Sequence, residues 1–216
     1  MAKRSCMSIP GRGVPCPPQG PRRGAFVALG ASNCLPSGRA KVALPLSKVY
    51  GVLEPGPVVL LTTVHRGRRN VMAMSWHTML EFEPPPVGCI VSGRHYSFDA
   101  LKATRQCVLN VPTVELAAKV VGCGNSSGRR VDKFERFGLT AAPAATVDAP
   151  LIAECYANLE CRVVDTRLVN RYNFFVLEVS KAWIDPQNKE PRTLHHRGRG
   201  VFMVAGETIK LASRAK

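Results

Sequence analysis

Two short stretches hold the side chains best suited to grip a ligand. Ser92, Arg94, His95 and Ser97 bring two hydroxyls, a guanidinium and an imidazole into one turn. Where such a turn opens a helix, free backbone N–H groups join them, and the combination favours an anion such as a phosphate. Just upstream, Asn70, Met72, Ala73, Met74, Ser75 and Trp76 lie on or beside one predicted strand. Alternation sends Met72, Met74 and Trp76 to one face and Ala73 and Ser75 to the other, so a flat ring could approach the small-residue face closely. Each half is a weak signal alone. Alternation by itself favours an ordinary half-buried strand with Trp76 packed in the core, Ser97 could be only a helix cap, and Arg94 could be a solvated charge. Lys133, at the start of a later helix behind the loop at residues 126–130, could reach the same anion or equally face solvent.

Other chemistries find less support. The eight cysteines show no CxxC and no paired-ligand spacing, and adjacent histidines such as His195 and His196 usually diverge, so no metal site is expected. No cysteine has an evident base partner and no nucleophile elbow is present, which argues against hydrolases and thiol enzymes. The glycines of residues 122–128 have the wrong spacing for a dinucleotide-binding turn and follow a helix rather than a strand. Residues 195–200 form a late cationic stretch that could meet a substrate phosphate or simply be solvated.

The elements that must carry these residues are mostly strands. The β-branched run at residues 58–64 predicts a strand, and a turn at 67–70 leads into a second strand at 71–76, a hairpin. Three prolines at 84–86 precede a strand at 87–91. Ser97 is the expected N-cap of a helix over 98–105, followed by a strand at 107–111 that Pro112 ends. Helices are expected at 114–121, closed by Gly122, and at 131–137, stopped by Gly138. Long strands at about 158–169 and 173–184 follow, with a last strand or its approach at 200–206. Helices fall between strands without regular βαβ alternation, so a mainly β fold is predicted, an antiparallel β-barrel with inserted helices in a single domain.

The 216 residues, 45% of them hydrophobic, suffice for one good core. The formal charge of +15 is unevenly spread: residues 1–48 hold eight basic and no acidic side chains, and the rest carries 22 basic and 15 acidic ones, +7. A body of that charge suits an anionic cofactor, and neither nucleic acid nor a membrane is an expected partner. Residues 1–41 are rich in Pro, Gly and Arg and are expected to be a disordered basic tail, with the native product starting near Val42 and the folded domain spanning 42–216. The length and ordinary core sequence argue for reduced thiols and a cytoplasmic location, and no apolar run approaches a membrane span.

The chain resembles the flavin reductase-like FMN-binding split-barrel family, in its flavoredoxin-like branch. The resemblance covers about residues 43–210. It is carried by Glu54-Pro55-Gly56-Pro57-Val58-Val59-Leu60 with Thr62-Thr63, Asn70-Val71-Met72-Ala73-Met74-Ser75-Trp76, Phe82-Glu83-Pro84-Pro85, Leu109-Asn110-Val111-Pro112, Ser127-Gly128 through Asp132-Lys133-Phe134, and Pro191-Arg192-Thr193-Leu194-His195 leading to Gly206. It implies a split barrel that binds FMN. Asn70, Met72, Ala73, Met74, Ser75 and Trp76 would run along the isoalloxazine and ribityl portions, and Ser92, Arg94, His95, Ser97 and Lys133 would surround the phosphate. It implies an NAD(P)H:flavin oxidoreductase, with NADH or NADPH as hydride donor and a flavin, iron or a protein such as a monooxygenase as acceptor. A non-enzymatic FMN carrier or electron-transfer protein is the alternative. No side chain need act as acid or base, and a homodimer is implied.

Overall fold

A computed structural model describes residues 56–81 and 83–212. The expectations for a tail at 1–41 and a start near Val42 lie outside the described residues.

The run at Val59–His65 forms β1, and β2 follows at Arg68–Met74. Only Arg66 and Gly67 separate them, both with positive φ (50° and 70°), the mirror-image turn whose twist matches that of a hairpin. The turn is therefore shorter than the sequence suggests, and β2 stops at Met74 rather than Trp76. Next come β3 (His77–Met79), β4 (Pro86–Ile90), α1 (Tyr96–Thr104) and β5 (Gln106–Val111). A short 3-10 turn at Val114–Leu116 runs into α2 (Ala117–Asn125), and α3 covers Lys133–Arg136. The remaining elements are β6 (Ala141–Ala142), β7 (Leu151–Ile152), β8 (Ala157–Asp165), α4 (Val169–Tyr172), β9 (Phe174–Ile184), β10 (Leu194–His196) and β11 (Phe202–Val204).

Seven strands form one antiparallel sheet in the order β2-β1-β5-β8-β9-β4-β3. Its two edges are consecutive in the chain, joined only by Ser75 and Trp76. Laid flat, six strand spacings would hold those edges about 29 Å apart, whereas three Cα steps span at most about 11 Å. The sheet must curl until its edges meet, and the result is the split half-barrel. Leu61, Met72, Met74, Cys89, Leu109, Cys161 and Phe175 fill its interior, with Leu101 of α1 packed against them. Leu60 and Val71 point the other way and pack under Val120 and Cys123 of α2, Phe134 of α3 and Leu194 of β10. Removing surface of this kind from water supplies most of the driving force for such a fold.

Several boundaries differ from expectation for local reasons. The helix expected to close at Gly122 runs on to Asn125, because Gly122 lies under the Phe137 ring, where a Cβ would come within 2.4 Å of Cε1. That glycine marks a packing contact rather than a stop. The strand expected through Val169 ends at Asp165, where α4 intervenes. Ser97 does not cap α1: His95 occupies the N-cap position, and Ser97 lies inside the first turn. Trp76 is 55% exposed rather than in the core.

One charged residue belongs wholly to the scaffold. Glu160 on β8 is fully buried on the sheet's outer face. Its carboxylate accepts from the Ala145 and Thr146 backbone N–H groups (2.9 and 2.6 Å), the Thr146 hydroxyl (2.6 Å) and the Trp183 indole (2.7 Å). Burial alone would raise its pKa, but these donors outweigh burial and bring it down to about 2. They pin the loop before β7 to the sheet.

Candidate functional site

Among the described residues only β1 pairs with β2, which makes β2 an edge strand with cavities along its other side. Three adjoining cavities run along it. The largest, about 690 Å³, is walled by Met72, Ala73, Met74, Ser75 and Trp76 on one side and by Ser92, Arg94 and His95 on the other, with Tyr172 and Asn173 at its end. A second, about 260 Å³, contains Asn70, Ser97 and Lys133 and shares Arg94 and His95 with the first. A third, also about 260 Å³, lies between Ala73 and Ser75, the α2 residues Val121 and Gly124, and His196 and Phe202 of the β10–β11 hairpin. All eleven residues selected from the sequence therefore line one groove.

The two ends differ in chemistry. Toward Trp76 the walls are the β2 backbone, the small Ala73 and Ser75 side chains and an indole, surfaces suited to a flat ring. Toward Asn70 they are polar and tightly organised. Asn70 is buried and donates from Nδ2 to the Ser97 hydroxyl oxygen at 2.8 Å, which leaves that hydroxyl's proton available. Gly128 must approach this pair closely, since a Cβ there would lie 2.0 Å from Asn70 Oδ1. The turn before α1 is held by the His95 N–H to the Ser92 carbonyl (2.9 Å) and the Arg94 N–H to the Ser92 hydroxyl (3.4 Å). Ser92 thus shapes the turn as well as lining the groove. The first N–H groups of α1 have no partner in their own helix and add positive potential at this end.

Lys133 is the decisive residue. It is 4% exposed, its ammonium donates to the Cys123 carbonyl oxygen at 2.7 Å, and no carboxylate among the described residues lies within ion-pair distance. Asp132 fixes its position by capping α3, accepting from the Phe134 N–H at 2.8 Å. Burial pushes the Lys133 pKa below its ordinary value, with the nearby Cys123 thiol opposing that shift. His95 is also held below its ordinary value, first by burial and then by Lys133 and Arg94. A buried cation with one neutral acceptor is costly unless an anion arrives, and the groove's polar end meets the requirements of a phosphate.

Tyr96 and Asn173 also line the groove but did not stand out in the sequence, whereas Gly124, Gly128 and His196 line it too and lie in stretches that the sequence singled out without tying them to this groove. Their signal was close backbone approach, which the glycines of residues 122–128 carried without indicating what they approach. Among the described residues no group of three or more His, Cys, Asp and Glu is placed to hold a metal ion, the five described cysteines are free, and no helix is long and apolar enough to cross a membrane.

The fold and this groove define a flavin reductase-like split barrel. The Flavin reductase like domain family model matches residues 53–202, and the chain belongs to that family. An FMN-binding domain of a flavin reductases-like enzyme from Shewanella baltica superposes with a TM-score of 0.69 at 28% identity, covering 79% of this chain and 97% of that one. A flavoredoxin from Methanosarcina acetivorans gives 0.67 at 27% identity, with 82% and 97% covered. In sequence, the uncharacterized protein YddH of Escherichia coli is 29% identical over 182 residues, 78% of this chain and 96% of its own length.

Proposed function

We propose that this protein is an FMN-dependent oxidoreductase that takes hydride from NADH or NADPH and passes electrons to a flavin, iron or protein acceptor. The observation that carries the reading is the buried, carboxylate-free Lys133 ammonium at the polar end of a groove whose other end is apolar. FMN has the matching halves, a phosphate and an isoalloxazine ring. When bound, it would supply the redox chemistry, accepting hydride from the nicotinamide and releasing electrons to the acceptor.

The chain's own part is placement. Lys133, Arg94, His95, the Ser97 hydroxyl and the N-terminus of α1 would neutralise and orient the phosphate. The open edge of β2 would offer main-chain N–H and C=O groups to the ring, and Ala73 and Ser75 are small enough to let it approach. Met72 and Met74 back the strand from inside the barrel. No side chain is required to move a proton, so the groove needs no acid–base pair.

A homodimer belongs to the same reading. Trp76, Met79 and Leu80 are all about half exposed at the rim of the groove and along β3, and a second copy covering them would seal the ring end from water. Sedimentation of the purified protein should give twice the chain mass, and a monomer at micromolar concentration would remove this part.

Purified protein should bind FMN, and anaerobic mixing with NADH or NADPH should bleach the flavin promptly with at least one of them. Folded protein that fails to bind FMN overturns the site. FMN binding without reduction by either nucleotide would instead favour a carrier or electron-transfer protein, a reading supported by the likeness to a flavoredoxin.

A further inference from the structure

His95 stands where the two polar cavities of the groove meet. It lines the ring cavity beside Ser92 and Tyr172, and the phosphate cavity beside Ser97 and Lys133. Arg94 shares both positions, so three side chains able to carry positive charge converge on one space of about 260 Å³. An arginine keeps its proton throughout the physiological range, and the Lys133 ammonium is anchored on the Cys123 carbonyl at 2.7 Å. The imidazole is the group whose charge changes near neutrality.

The elements packed around His95 bring little to offset the other two charges. From α2 comes Cys123, whose thiol is pushed up to about 11 by burial and is uncharged at neutral pH. β2 contributes the Asn70 amide, and the phenols of Tyr96 and Tyr172 come from α1 and α4. Arg68 and Arg129 stand over the Tyr96 ring and add to the positive side. The α1 carboxylate, Asp99, is exposed and lies 3.5 Å from Arg129, while Asp132 is paired with Arg69 at 3.3 Å. Charging the imidazole therefore adds a third cation to two that repel it, in a place partly withdrawn from water. The neutral form is favoured, by burial first and then by Lys133 and Arg94. A phosphate monoester reverses that balance. It brings about −1.5 to −2 charges at neutral pH, cancels the repulsion, and accepts hydrogen bonds that are stronger from an imidazolium than from a neutral ring.

We propose that His95 takes up a proton when the phosphate of FMN enters the cavity, so that cofactor binding is coupled to pH and the third cation of the site forms only around a phosphate. The inference rests on the FMN reading and deepens it. Its sign follows from linkage. The complex holds more protons than the free protein, so affinity falls as pH rises from the free imidazole's pKa, below the ordinary 6.5, to its higher value in the complex. FMN is held firmly in neutral or mildly acidic surroundings and exchanges more freely in alkaline ones. Riboflavin lacks the phosphate and gains nothing from the proton, so the same device widens the margin between the two flavins.

Isothermal titration of FMN into the intact protein at about pH 7, in two buffers of different ionisation enthalpy such as Pipes and imidazole, counts the protons taken up. About half a proton or more per FMN is expected. Fluorescence titration should show FMN affinity falling about threefold to tenfold between about pH 6.5 and about pH 8, a range above the phosphate's own second ionisation at about 6. His95→Gln keeps a neutral donor and should lose both the proton uptake and the pH dependence over that range. The count on wild-type protein decides the matter if the variant fails to fold. Uptake below about 0.2 proton per FMN, the same uptake in folded His95→Gln, or the same uptake with riboflavin overturns the proposal and leaves the FMN site standing. Absence of FMN binding by folded wild-type protein would overturn the underlying reading instead.

Discussion

Glu160 is wholly buried and its carboxylate receives four hydrogen bonds from three residues, whereas Lys133 is nearly as buried and its ammonium makes one, to a carbonyl. Both charges were taken out of water, and folding solved the two cases differently. Around Glu160 the chain provides everything a carboxylate needs, so the residue ties a loop to the sheet and has nothing left to offer a ligand. Around Lys133 it provides a cavity, a serine hydroxyl, a helix N-terminus and, among the described residues, no carboxylate within ion-pair distance. In this molecule the count of internal partners, more than burial or charge, separates an ion fully engaged by the scaffold from one with hydrogen-bonding capacity left over.

That contrast is open to direct attack. Lys133→Met should lower FMN affinity about a hundredfold, while leaving thermal stability unchanged or slightly higher because a poorly satisfied buried cation is removed. A loss of stability with FMN binding retained would reverse the roles assigned here. Fluorescence titration and a thermal melt on the same sample decide it.

Glu160→Gln should show the opposite pattern, losing about 2 kcal/mol of stability in urea unfolding at neutral pH with flavin affinity unchanged. The pH dependence follows from the direction of its shift. The folded-state pKa of about 2 lies below the ordinary value of 4.5. Its stabilisation is therefore complete above pH 4.5 and is lost as pH falls toward 2. The wild-type urea midpoint should drop across that window, and the Gln variant should drop less.

Ser97→Asp supplies the counter-charge that the cradle lacks, and so makes it more like the surroundings of Glu160. FMN affinity should fall about tenfold, and unchanged affinity in a flavin titration would move the phosphate elsewhere. Among the variants that touch the cradle, the smallest loss of flavin affinity is expected from Gly128→Ala, where the added methyl must push Asn70 aside. A severalfold weakening of FMN and a cost of about 1–3 kcal/mol should appear together, and urea unfolding reads the second. A stable Ala variant with normal flavin binding would show that the Asn70–Ser97 pair has slack.

Much of the scaffold was legible in the amino-acid sequence because its signals are local. The β-branched residues of β1 and the glycine of its two-residue turn announce a hairpin without help from the rest of the chain. Asn70, the turn at residues 92–97 and Lys133 could be selected as candidates for the same reason, and they do line one groove. What stayed hidden depends on distant partners. Ser97 has the composition of a cap, but its hydroxyl is engaged by Asn70, 27 positions away. Gly122 has the composition of a helix stop, but it makes room for Phe137. Glu160 reads as an ordinary polar residue on a strand, since nothing in its neighbourhood indicates that residues 145 and 146 will close over it.

The two residues between β2 and β3 have a mechanical consequence. Ser75 and Trp76 act as a tether of fixed length across the mouth of the half-barrel. Thermal motion can loosen hydrogen bonds on either rim, but the Met74 and His77 ends of the rims cannot part by more than about 11 Å while the backbone is intact. At that end the width of the opening is set by covalent geometry rather than by the balance of weak forces. A ligand lying along that mouth therefore meets walls that stay in register through local fluctuations.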